Sequence, residues 1–156
     1  MNSESLRIAD QLRRAFSGKP WHGDPLFHFL TRLTEEQAQA RPLPVHSIWE
    51  LVVHIELWVR IALEATDGIP MPKLYGTEKD WSVADGGNAT KWAAVTERLY
   101  QSAEGLARAI EGFSDARLKE IVPGREYDFY YLFHGIVQHS LYHAGQIALL
   151  KKAIIS

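Results

Sequence analysis

The sequence contains no cysteine, which excludes several classes of protein and of active site. Without Cys there is no disulfide scaffold, no Cys-ligated zinc finger, no iron–sulfur cluster held by thiolates and no Cys nucleophile. Any metal or acid–base chemistry must therefore use His, Asp, Glu or Tyr. The seven His residues are the first candidates.

Long apolar runs and an excess of charge of one sign are also missing. No segment approaches the roughly 20 apolar residues that span a bilayer. Residues 1–17 carry five charged side chains where a signal peptide would be apolar. Lys and Arg total 17 against 19 Asp and Glu, and the basic pairs at 13–14 and 151–152 are short. We therefore expect a cytoplasmic protein with no membrane or nucleic-acid partner.

What is present suits a single all-α domain spanning residues 1–156. Apolar residues recur three and four positions apart in four long segments, and no convincing hairpin interrupts them. This periodicity predicts long helices over about 5–16, 47–66, 89–111 and 129–154. Ser47 and Asp128 are the predicted N-caps of the second and the last of these helices.

Shorter elements lie between the long helices. Asp24 is the predicted N-cap of a short helix that has Pro25 at its first position and runs to about Leu33. Residues 34–37 have the spacing of a capping box for another helical turn. Residues 71–88 are rich in Gly and Pro and predict a long surface loop, whose length suggests a functional lid or a partner contact. Such a loop allows a crossover connection between the second and third long helices.

The last helix carries two histidines on its apolar face. Residues spaced three or four apart form one stripe there, namely Leu132, Ile136, His139, His143, Ile147 and Leu150. Two imidazoles at i and i+4 project from the same face, about one turn apart. This spacing is suited to a shared metal ion, since neutral imidazole binds Zn, Ni, Cu and Fe.

A third histidine, His54, borders the apolar stripe of the second long helix. If the two helices pack together, His54, His139 and His143 can meet in the core, where helical bundles commonly hold metals. Three neutral ligands leave coordination positions open for water or substrate, as in catalytic metal sites. The alternative is that the three histidines are hydrogen-bonded packing residues without a metal.

The other four histidines have weaker patterns. His134 lies nearly half a helical turn away from His143 and is expected to point elsewhere. His22, His28 and His46 precede the second long helix, where we expect surface or packing roles. His46 or His22 is a candidate for the rim of a site.

Several motifs together resemble one known family, the DinB-like proteins. They are Trp21-His22-Gly23, Leu33 to Ala38, Arg41-Pro42, Ser47 to Ile55 and, most specifically, His139-Ser140-Leu141-Tyr142-His143-Ala144-Gly145-Gln146-Ile147. The resemblance implies a four-helix bundle with up-up-down-down topology, often a homodimer. It also implies a divalent metal on three histidines, which fall at His54, His139 and His143. Zn or Ni is the expected metal, with Fe or Mn as alternatives.

Neighbours of the three histidines suggest supporting roles. Glu50 is expected to serve as the capping-box acid, and Gln146 could orient a water or a ligand. Tyr142 projects about 100° away from the pair, which favours packing. Gly145 would permit a close helix contact. Core or interface positions are expected for Trp49, Trp58, Trp81 and Trp92, one or two of which could wall an apolar substrate pocket.

Three functions follow from these residues and the resemblance. The first is a metal-dependent enzyme on a small molecule, a low-molecular-weight-thiol transferase, because characterised DinB-like branches use such thiols. The second, a variant of the first, is metal-assisted hydrolysis by the same ion. The third is a non-catalytic metal-binding or stress-associated interaction protein, since no acid–base residue is evident beside the histidines. Without Cys, any thiol must arrive with a substrate.

Overall fold

The computed structural model describes residues 3–81 and 91–155. All the helices and strands assigned in these ranges turn out to be helices, with no strand among them. The α-helices are α1 (Ser3–Phe16), α2 (Leu26–Leu30), α3 (Glu35–Gln39), α4 (Ile48–Thr66), α5 (Trp92–Glu111) and α6 (Phe129–Ile155). Two 3-10 turns cover Glu78–Asp80 and Arg117–Lys119. An isolated bridge joins Ile121 to Asp128. The all-α prediction is confirmed for this part of the chain.

The core lies between four of these helices. Helices α1 and α4 each pack against both α5 and α6. Their apolar stripes supply fully buried side chains, among them Leu12, Ile55, Leu106, Phe133 and Ile147. Each such side chain contributes about 1.5–3 kcal/mol by leaving water. The contact between α4 and α6 is the one that positions the histidines.

Side-chain caps fix the predicted start of α4. The Ser47 hydroxyl accepts the Glu50 backbone N–H, and the Glu50 carboxylate accepts the Ser47 N–H at 2.8 Å. This capping box is confirmed, as are the box between Thr34 and Gln37 and the Asp128 cap, whose Oδ1 accepts the Tyr131 N–H. The register of α4, and with it the direction of His54, is thus anchored at its N-terminus.

The prediction for the short helix after Asp24 is wrong at both ends. Pro25 is itself the N-cap, with extended backbone and no side-chain cap bond, so the helix begins at Leu26. It ends at Leu30 rather than Leu33, because Thr31 is extended and Arg32 has a φ of 62°. A left-handed residue cannot continue a right-handed helix.

Two long helices start where distant side chains cap them. The Asp115 carboxylate accepts the backbone N–H groups of Glu4 and Ser5, and α1 begins at Ser3 rather than Ser5. Glu35 accepts the Trp92 N–H at 3.1 Å, and Lys91 is extended, so α5 begins at 92. The predicted start at 89 lies outside the described residues. Carboxylates at these helix N-termini also interact favourably with the helix dipole.

The loop after α4 is anchored to the protein core over its described part, residues 71–81. Met71 and Leu74 are buried, and the Met71 N–H donates to the Pro123 carbonyl oxygen at 2.9 Å. Most of the other residues of 71–81 are exposed, so this part of the loop runs along the surface between buried anchors. The remainder of the prediction, 82–88, lies outside the described residues. Among the helices that the structure describes, none has the length and apolar character to cross a membrane.

Candidate metal centre

Helices α4 and α6 bring the three predicted histidines together. His54 extends from α4, and His139 and His143 extend from consecutive turns of α6. The Nε2 atom of His139 lies 3.0 Å from that of His54 and 3.1 Å from that of His143. One ligand atom from each ring lies within 4.8 Å of the others.

The chain fixes the His54 ring through its other nitrogen. His54 Nδ1 donates to the backbone carbonyl oxygen of Asp80 at 2.8 Å. Because the carbonyl can only accept, the proton is on Nδ1, and the Nε2 lone pair is left for the centre. Metal-binding histidines are commonly oriented by such a bond.

His143 is held in the same way by its own helix. Its Nδ1 donates to Gln146 Oε1 at 2.7 Å, one turn further along α6. Of the two roles that the sequence suggested for Gln146, orienting a water or a ligand, the structure shows contact with the candidate metal ligand His143. The Nε2 lone pair of His143 also faces the centre.

His139 has no protonation state that satisfies both of its nitrogens. Its Nδ1 is buried without a partner in the described part of the chain, and its Nε2 faces the two other lone pairs. A buried polar atom without a partner is costly. A cation among the three Nε2 atoms would remove the lone-pair repulsion. Tetrahedral zinc bonds of 2.0–2.1 Å would separate the nitrogens by about 3.3 Å, close to the observed spacings. The residues therefore fit a metal ion.

Burial keeps the three imidazoles neutral. It lowers the pKa of His139 to about 3, with a further contribution from the neighbouring His143 and His54. Burial also lowers the pKa of His54, against the raising effect of Asp80. The pKa of His143 is lowered for the same reason, against its bond to Gln146. Neutral rings are the form that binds metals.

Asp80 is a supporting residue that the sequence reasoning did not single out. The residue is 5% exposed, and Oδ1 accepts the Trp58 Nε1–H at 2.8 Å. The same oxygen lies 3.4 Å from His54 Nδ1. The length of the loop from 71 suggested a functional segment, but nothing in its composition distinguished Asp80 from its neighbours.

Trp81 holds His54 from the side by stacking. Its indole lies parallel to the His54 ring at a centroid distance of 3.9 Å and to the His46 ring at 3.7 Å. The three rings form one stack from the exposed rim to the centre. The structure thus places His46 at the rim, whereas His22 is exposed and lines neither of the two cavities that border the histidines.

A cavity of ≈ 490 Å³ opens over the histidines. His54, His139 and His143 form part of its wall, together with the aliphatic residues Leu132 and Ile136. Aromatic side chains line much of the rest: Trp58, Tyr75, Trp81, Tyr127, Tyr131 and Tyr142. Its size is in the range of small-molecule pockets. The expectation that one or two tryptophans wall an apolar pocket is confirmed.

A second cavity of ≈ 410 Å³ borders the other side of His143. It shares Trp81 and Tyr142 with the first cavity and is otherwise mostly aliphatic. Tyr142 is 66% exposed. The interpretation of this residue as a packing residue is therefore wrong, because its direction on α6 faces the two openings.

Other predicted neighbours have structural roles or none at the centre. Gly145 is exposed, and a Cβ there would meet nothing within 4 Å, so the predicted close helix contact is wrong. His134 points away from the centre, 4.4 Å from the Tyr130 ring by centroid distance. Trp49 and Trp92 pack against each other at 5.4 Å.

Comparison with known proteins agrees with the site's pattern. A model of the DinB superfamily matches residues 21–147, which include all three histidines. Searches of curated proteins and of solved structures give no significant match. Because the family match covers most of the sequence, the chain belongs to the DinB superfamily.

Proposed function

We propose that this chain binds one divalent metal ion through Nε2 of His54, His139 and His143 and transfers a low-molecular-weight thiol to a small molecule. The observation that carries the proposal is the convergence of three neutral imidazoles at the wall of an open cavity. A structural metal site would instead be closed by a fourth protein ligand. Zn or Ni suits these nitrogen donors best, and Fe and Mn are the alternatives.

A divalent ion held by three neutral ligands keeps its full charge and lowers the pKa of a bound thiol or water. The chain's own residues prepare the site. Asp80 and Gln146 fix the tautomers of His54 and His143, and Trp81 restrains the His54 ring. Aromatic walls exclude water from the reacting molecules, which strengthens the electrostatic effect of the centre.

The only carboxylate in the described cavity wall already has partners, which favours thiol transfer over hydrolysis. Asp80 already accepts the Trp58 N–H and faces His54, so it is not placed as a general base for water. A thiol needs less help, because it ionises more readily than water. The same lack of a free carboxylate in the described wall leaves a non-catalytic metal-binding role as the second candidate.

We further propose that the four long helices form the up-up-down-down bundle of the resembling family and that the protein is a homodimer. The pairwise packing of α1 and α4 against α5 and α6 supports the bundle. Exposed apolar side chains on α6, such as Leu149 at 68%, support a partner surface.

The test is a panel of electrophiles with low-molecular-weight thiols on metal-loaded protein. We expect turnover that is lost in His54→Ala, His139→Ala and His143→Ala. His134→Ala is the matched control, because the same residue type is removed from α6 away from the centre. Metal binding without turnover of any pair would favour the non-catalytic role. Turnover that survives all three substitutions would refute the proposal.

A further inference from the structure

The cavity over the histidines has few charged side chains in its described wall. No Lys or Arg lines it in the described parts of the chain, and residues 82–90 contain neither. The one carboxylate in its described wall, Asp80, is occupied by Trp58 and His54. Away from the ion, an anionic group in this cavity would lose its hydration without a protein counter-charge.

The aromatic side chains are arranged to meet another ring. Both faces of Trp81 are covered by His46 and His54, so only its edge can border the cavity. An indole edge is the positive part of the ring and attracts the face of a ligand ring. At the mouth, Tyr131 is 67% exposed and lies 5.2 Å from Tyr127 by centroid distance. These tyrosines offer further ring contacts.

Size limits the ligand further. A cavity of about 150 Å³ is enough for benzene, and this one measures ≈ 490 Å³. Gly135 leaves part of that volume open, since a Cβ there would meet nothing within 4 Å. One or two rings with a small substituent fit within such a space.

We propose that the cavity binds an uncharged molecule with one or two aromatic rings and a small polar group turned toward the histidines. This rests on the proposed function, in which the molecule is the acceptor of the thiol. A cationic ligand is disfavoured, because the bound ion would repel it. An anionic group finds a counter-charge only at the ion itself, so a negative charge elsewhere on the molecule is disfavoured.

The experiment compares 2-naphthol with 2-naphthoate, which differ in charge but little in size. The affinities are measured by titration calorimetry on metal-free protein, so that the carboxylate of 2-naphthoate cannot coordinate a metal ion. We expect the Kd of 2-naphthol to be lower than that of 2-naphthoate by a factor of at least about ten. Equal or tighter binding of 2-naphthoate would overturn the proposal. Tighter binding of phenyltrimethylammonium than of 2-naphthol to the metal-loaded protein would also overturn it.

Variants locate the binding. Gly135→Leu occupies part of the cavity, and we expect it to weaken 2-naphthol binding about tenfold or more. Gly145→Leu makes the same change at an exposed site on α6 and should leave binding unchanged. Tyr131→Ala removes an exposed ring, so it tests the site even if Gly135→Leu fails to fold. Binding that is unaffected by a folded cavity variant would overturn the proposal.

Metal content separates this inference from the proposed function. Metal binding with no preference for 2-naphthol refutes the ligand class and leaves the metal centre intact. A preference for 2-naphthol in protein that never takes up metal refutes the proposed function instead.

Discussion

Acid should destabilise the metal-free protein well above the pH at which carboxylates titrate. Burial holds the pKa of His139 at about 3, against an ordinary value of about 6.5. Between these values the unfolded chain binds more protons than the folded one. The stability associated with His139 is therefore fully present above about pH 6.5 and is lost as the pH falls toward about 3.

The size of the effect follows from the two pKa values. Lowering the pH from about 7.5 to about 5 should reduce the free energy of unfolding by about 2 kcal/mol through His139 alone. For a chain of this length that lowers Tm by roughly 4–8 °C. His54 and His143 have pKa values lowered in the same direction and add to the loss.

Urea unfolding of chelator-treated protein at the two pH values measures the effect. His139→Gln cannot titrate, so its loss of stability on acidification should be smaller by about 2 kcal/mol. His134→Gln removes a histidine from the same helix outside the centre and should behave as the parent protein does. If His139→Gln and the parent protein lose equal stability, the buried neutral imidazole of this account does not exist.

Further substitutions test the framework around the centre by urea unfolding. Ser47→Ala removes the α4 cap and should cost about 1 kcal/mol; no loss would mean that the cap does not stabilise α4. Gly124→Ala should cost more than about 1 kcal/mol, because φ is +78° and the new Cβ would lie 3.0 Å from a carbonyl oxygen. Gly135→Ala meets nothing within 4 Å and should instead stabilise α6 by up to about 1 kcal/mol. Trp58→Phe leaves the buried Asp80 carboxylate without its donor and should cost about 1–3 kcal/mol, whereas a neutral result would show that solvent replaces the bond.

The parts of the structure that local sequence determines were predictable. Helical phase alone placed His139 and His143 on one face, and it placed His54 at the edge of the α4 stripe. The capping residues Ser47 and Asp128 act within three positions of themselves, so their roles can be read from the chain. Helical phase thus proposed the three histidines as one set, and the family resemblance strengthened that choice.

The parts that depend on distant contacts were not predictable. The starts of α1 and α5 follow from Asp115 and Glu35, which are far away in the sequence. Asp80 reaches His54 only because the loop folds back onto α4, 26 positions after it. Tyr142 was misjudged because helical phase gives a direction but does not show that a cavity lies there.

The metal content of purified protein tests the central claim most directly. Metal-free protein is equilibrated with Zn²⁺ or Ni²⁺, separated from free ion by gel filtration and analysed by elemental mass spectrometry. The account predicts about one ion per chain. His54→Ala, His139→Ala and His143→Ala should lose that ion, whereas His134→Ala should keep it. Protein that binds no stoichiometric metal, or that keeps it in all three variants, would contradict the account.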